Sequence, residues 1–120
     1  MARQTLTKTN PPGAYPSLPL DADAADVVMT AADVAEKDEF AASGNDLVIA
    51  HNTGVGAETV TFTSVADEKN RTGDIETYSI GAGEMAVFGP FKQQGWKQPD
   101  GKIYLEASSA DIEIAVIELP

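Results

Sequence analysis

The chain predicts an all-β fold: an antiparallel β-sandwich or barrel of about seven or eight short strands, with an extended N-terminal arm. Three observations lead there. Apolar runs recur from residue 47 onward at roughly ten-residue spacing, with turn signals between them. Several of these runs alternate apolar and polar residues and are rich in β-branched side chains, which favour a pleated surface. Finally, Pro11, Pro12, Pro16 and Pro19 supply four of the seven prolines. Proline fixes φ and removes a backbone donor, so residues 1–20 form neither a helix nor a central strand. The division is a Pro-rich arm over 1–20 and one sandwich domain over 21–120, a length that suits a single core.

Within the arm, Tyr15, Leu18 and Leu20 are apolar anchors of a segment that lies on something. Residues 21–46 are ambiguous. Asp21, Asp23 and Asp26 alternate with alanines and lead into Val27–Thr30. Ala31–Phe40 has helical propensity through Ala and Glu. Its Val34, Ala35 and Phe40 make no clean helical stripe, so a short strand at 27–30, a turn or one helical turn at 31–36 and a strand near 38–42 fit equally well. Ser43-Gly44-Asn45-Asp46 is a turn signal.

Leu47–Ala50 reads as a strand covered on both faces. After the turn Asn52–Gly56, Thr59–Thr63 alternates strictly, with Val60 and Phe62 on one side. These two strands are expected to pair as a hairpin. A polar loop over 66–74 precedes the strand Ile75–Ile80. Gly81-Ala82-Gly83 turns the chain and Glu84–Phe88 returns as a strand. Gly89-Pro90-Phe91 should break it, because proline cannot donate to the ladder. Gln93–Trp96 is a loop, and Pro99-Asp100-Gly101 a turn. Lys102–Ala107 is a strand with Ile103 and Leu105 on one face; Ser108–Asp111 turns the chain. The last strand, Ile112–Leu119, switches its apolar phase, which implies a bulge or burial of both faces near Ala115.

Composition narrows function. Eight Lys and Arg against nineteen Asp and Glu leave a formal charge of −11. Nucleic-acid phosphates need clustered Lys or Arg, and anionic membranes attract basic segments, so neither is an expected partner. The absence of cysteine excludes disulfides, thiolate nucleophiles and Cys-based metal sites. The one histidine, His51, excludes any site needing two imidazoles. Met1–Asn10 lacks the apolar core of a signal peptide, and no apolar stretch approaches the ~20 residues a membrane helix needs. A soluble protein made in the cytoplasm is expected.

Individual residues point weakly to chemistry. Asp21, Asp23 and Asp26 could meet a hard cation, but the EF-hand pattern is missing, so they read as a solvated acidic lead-in. His51 reads as a strand-end histidine bonded to a turn carbonyl. Gly54–Gly56 and Gly81–Gly83 open no helix and carry no P-loop lysine, so they are turn glycines. Asn70-Arg71-Thr72 matches a glycosylation sequon but reads as loop. Trp96 is either an interface anchor or the cap of an open sandwich end. No set of nucleophile, base and oxyanion donor can be assembled, so no enzyme, cofactor or metal is expected. The acidic surface suits solubility or a high-salt habitat.

The chain also resembles small proteins encoded in tailed-bacteriophage structural gene clusters. The resemblance covers about residues 25–120 and rests on Thr30–Val34 (TAADV), Phe40–Thr53 (FAASGNDLVIAHNT) and its continuation through Gly54, Ala57 and Val60-Thr61. It continues through Ser64–Ile75 (SVADEKNRTGDI), Gly81–Phe91 (GAGEMAVFGPF), Gly95-Trp96, Asp100-Gly101-Lys102 and the terminal strand. These are turn and strand signatures, not catalytic motifs. The resemblance implies a capsid decoration (cement) protein on the virion surface, with a β-sandwich of jelly-roll-like type. Its partners would be the major capsid protein and copies of itself, with a trimer ahead of a dimer. Tyr15, Leu18, Leu20 and Trp96 are the expected contacts. The alternatives are a neck, head-completion or tail component, or a carbohydrate-binding or host-adhesion module using Trp96 with Tyr104 or Asp100.

Overall fold

The computed structural model describes residues 3–11, 26–66 and 73–119. They form ten strands and no helix: β1 (Gln4–Thr5), β2 (Lys8–Thr9), β3 (Thr30–Ala31), β4 (Asp38–Ala41), β5 (Asp46–Asn52), β6 (Glu58–Thr63), β7 (Ile75–Ile80), β8 (Met85–Phe91), β9 (Lys102–Ala107) and β10 (Ile112–Glu118).

The eight strands from Thr30 onward obey one rule. β6 pairs with β7, β5 with β8, β4 with β9 and β3 with β10, all antiparallel. That is one long hairpin folded about the β6–β7 turn-round. Its two ribbons then wrap, so that β10 also pairs with β5 and β9 with β6, again antiparallel. The result is two facing sheets with the strand order of a jelly roll. Sheet one runs β1-β4-β9-β6-β7; sheet two runs β2-β10-β5-β8, with β3 also on β10.

The first strands extend this plan. β1 pairs in parallel with β4, and β2 in parallel with β10. Residues 4–9 therefore run along both sheets in turn, and Leu6 between the two strands is buried in the core. Of the proline-rich segment, residues 12–20 lie outside the described residues, as does its boundary with the domain.

The core is built by alternation. β5 buries Val48 and Ala50, β6 buries Val60 and Phe62, and β9 buries Ile103 and Leu105. Phe62 lies at the centre, 4.9 Å from both Phe88 and Phe91 by ring centroid. Tyr78 meets Phe88 edge-on at 5.4 Å and closes the side where β7 faces β8.

Several expectations are corrected. β5 and β6 do not form a hairpin; they lie in opposite sheets. The same holds for β7 and β8, which the turn at Gly81–Gly83 carries from one sheet to the other. The physical reason is shared. Asn52, fully buried at the end of β5, donates through Nδ2 to the carbonyls of Gly56 and Ile80, and its Oδ1 accepts from Gly54 N–H. Its backbone N–H donates to the Glu84 carbonyl, and its carbonyl accepts from Gly83 N–H. One side chain and its peptide thus fasten both crossings.

Pro90 does not end its strand. β8 runs through it to Phe91, and the Gly89–Pro90 peptide is cis. β8 is the edge strand of its sheet, where proline is tolerated, and its register with β5 slips between Phe88 and Phe91. Residues 31–40 follow the turn-then-strand alternative: Lys37 N–H donates to the Asp33 carbonyl at 2.7 Å and Asp33 Oδ1 accepts from Glu36 N–H, one turn before β4. The phase switch in β10 is burial of both faces, since Ile114, Ala115 and Val116 are all buried and the register with β5 runs unbroken over seven pairs.

Candidate functional site

The buried polar side chains among the described residues are Asp38, Asp46 and Asn52, and all three hold the fold. Asp38 accepts from Gln4 Nε2 at 2.7 Å and from Asp33 N–H, tying β1 to β4. Gln4 Nε2 also donates to the Ala31 carbonyl. Burial pushes the Asp38 carboxyl above the ordinary carboxylate pKa, against the lowering effect of those bonds. Asp46 accepts from Lys8 Nζ at 2.8 Å and from Ser43 N–H and Oγ. Among the described residues there is no group of three His, Cys, Asp or Glu placed to hold a metal ion.

The outer face of sheet one is polar and occupied with itself. A groove of about 280 Å³ is lined by Thr59, Thr61, Thr77, Glu106, Ala107 and Ser108. Thr61 Oγ1 accepts from Thr77 N–H, Ser108 Oγ donates to Glu58, and Glu106 pairs with Lys37 at 3.0 Å. Nearby, Lys102 pairs with Glu39 and the Arg3 guanidinium sits 4.0 Å from the Tyr104 ring centroid.

The outer face of sheet two is of the opposite kind. Alternation along β5 turns Leu47, Ile49 and His51 outward, and the register sets Val87 beside Ile49, Met85 beside His51 and Ile117 beside Leu47. Met85 is 59% exposed and Val87 61%, although both sit in a strand. Residues 47–57 and 85–91 carry no charged side chain in a chain of net charge −11. The β5–β8 half of this sheet is thus an apolar, charge-free strip on an acidic body. Its exposed part is the β8 edge at Met85 and Val87; Leu47, Ile49 and Ile117 are half-buried, and exposed apolar surface set beside such residues marks an interaction site more often than a scattered exposed residue does.

Tyr15, Leu18 and Leu20 lie outside the described residues, as do Asp21, Asp23 and the sequon Asn70-Arg71-Thr72. Trp96 packs edge-on against Phe91 at 5.0 Å and caps the core from its loop. Asp26 is exposed, and its carbonyl accepts from Thr9 Oγ1. His51 lies inside β5, opposite Glu113 and Met85, rather than beyond its end. Gly54, Gly56, Gly81 and Gly83 sit in the two crossings that Asn52 holds. Asp100 accepts from the Tyr104 hydroxyl and from Lys102 N–H, which lowers its pKa and raises that of Tyr104.

The strip was missed because its residues look like core. Leu47–Ala50 reads as covered on both faces; in the structure Val48 and Ala50 are buried in the core and Leu47 and Ile49 are half-buried on the outer face. A signal existed: Met85 and Val87 share one phase of an edge strand whose other phase holds Phe88. Comparison with protein-family profiles, curated proteins and solved structures returns no match.

Proposed function

We propose that the protein is a structural component of a tailed-bacteriophage virion, a decoration protein that binds the outside of the head and stabilises it through protein–protein contacts. The observation that carries this reading is the charge-free apolar strip of Leu47, Ile49, Met85, Val87 and Ile117 on an otherwise acidic body. A decoration protein needs a compact domain and a surface that binds protein rather than the packaged genome. The acidic charge disfavours nucleic acid, and small contacts repeated by capsid symmetry add up through avidity. The resemblance of residues 25–120 to phage structural proteins supports the same role.

A carbohydrate-binding module ranks second, because it requires an open aromatic platform beside polar groups. Trp96 is packed on Phe91, and Arg3 covers one face of Tyr104. The deciding experiment is quantitative mass spectrometry of purified virions against the major capsid protein. The expected result is a copy number near that of the capsid subunit. A handful of copies would assign the protein to the neck or tail, and absence from the particle would end the virion reading.

A further inference from the structure

We infer that the β8 edge of sheet two pairs with the same edge of a second copy, joining two molecules about a two-fold axis through a continuous sheet. The inference rests on reading the charge-free strip as a protein-binding surface, and it names the occupant.

The two sheet edges on this side of the sandwich differ in their defences. An unpaired strand edge invites another strand unless a bulge, a charge or a proline blocks it. β7, the edge of sheet one, carries a register shift opposite Val60–Phe62, a left-handed Thr77 (φ 44°) and an exposed Glu76. β8 has Gly89 and Pro90, with a register shift, only in its second half. Its first half, Met85–Phe88, has no charge and pairs regularly with β5.

Backbone direction completes the edge. Asn52 N–H donates to the Glu84 carbonyl, which sets the alternation: Glu84, Ala86 and Phe88 address β5, while the N–H and C=O of Met85 and Val87 point away from the sheet. An antiparallel copy centred on Ala86 places Met85 of each molecule opposite Val87 of the other, so that each satisfies its partner's outward groups. The arrangement is self-complementary, as a two-fold interface requires. It also extends the apolar strip across the junction.

Charge selects a second copy as the occupant. A basic partner would be drawn to the carboxylates elsewhere on the body, whereas residues 47–57 and 85–91 hold none. Two bodies of charge −11 meet with least repulsion where neither presents a charge. The sequence favours a trimer ahead of a dimer; an edge that pairs antiparallel with itself closes at two.

The test is sedimentation velocity and light scattering on the full chain over a wide concentration series, at low and high sodium chloride. The expected result is a dimer that tightens as salt screens the net charge. Val87→Lys and Met85→Lys, at exposed positions, should each weaken association at least ~100-fold while thermal unfolding of the monomer stays close to that of the parent. Glu76→Lys on β7 should leave the dimer intact. A monomer at every concentration, a trimer, or a dimer that survives both lysine variants would overturn the inference. So would a monomer whose unfolding temperature Val87→Lys lowers sharply, since the strip would then be covered by the chain's own segment. These outcomes are independent of virion copy number: a capsid-abundant monomer would sink the pairing and leave the proposed function standing.

Discussion

Lys8 Nζ lies 2.8 Å from Asp46 Oδ1, and the Asp46 side chain is fully buried. The contact joins β2, on one side of β10, to β5 on the other, so the first residues of the chain are fastened to the middle of sheet two. Lys8 also reaches Glu118 at 3.1 Å. Removing one partner of a buried pair leaves a desolvated charge, which is far more costly than losing an exposed salt bridge. Lys8→Met should destabilise the fold by about 3 kcal/mol. Lys8→Met with Asp46→Asn should recover much of that loss, because the orphaned charge is gone. Urea unfolding of the single and double variants checks both statements.

Asp38 should shape the pH dependence of stability. Burial raises its folded pKa above the ordinary 3.8. Such a group favours folding most when protonated: its contribution is complete below the unfolded pKa and is lost as pH rises through the raised folded value. Asp38→Asn keeps an acceptor for Gln4 and cannot ionise. As pH rises from about 4 through the raised folded value, the parent should therefore lose stability relative to this variant. Denaturant midpoints across that range measure the difference, and a parent that gains on the variant with rising pH would contradict the prediction.

Asn52→Ala should cost about 3 kcal/mol, since it leaves the carbonyls of Gly56 and Ile80 and the Gly54 N–H without their side-chain partner. Amide hydrogen exchange should accelerate first at residues 53–57 and 81–84, the two crossings. Uniform acceleration across the core would argue against that localised role.

Thr77 holds φ at 44°, a left-handed conformation that a β-branched residue adopts at a cost of about 1–2 kcal/mol. Asparagine tolerates it better and keeps the N–H that donates to Thr61 Oγ1. Thr77→Asn should raise the unfolding temperature by about 3 °C. Differential scanning calorimetry is the direct measurement, and a lowered Tm would show that the threonine side chain contributes more than its backbone costs.

Much of the fold was legible along the chain. The alternation of Val60 and Phe62, and of Ile103 and Leu105, marks two strands and the face each buries, and Pro99-Asp100-Gly101 marks the turn before β9. These are local signals: side-chain period, φ preference and missing donors act within a few residues. Composition also limited function without help from the structure. The absence of cysteine rules out disulfides, thiolate nucleophiles and Cys-ligated metals within this chain, because their sulfur is missing.

Which strand lies beside which was decided only by the tertiary structure. Period-two alternation says which face is buried but not who the neighbour is, so Leu47–Ala50 and Thr59–Thr63 looked like a hairpin although they face each other across the core. The crossing depends on Asn52 meeting Ile80, 28 positions away. Likewise, Lys8 finds Asp46 across 38 positions and Gln4 finds Asp38 across 34. The candidate binding strip has the same origin. Leu47, Ile49, Met85, Val87 and Ile117 are each unremarkable in sequence and become one surface only because β8, β5 and β10 lie side by side. Hydrophobicity is written residue by residue, whereas the packing that buries Phe88 and leaves Met85 and Val87 exposed in the same strand is a property of the tertiary structure.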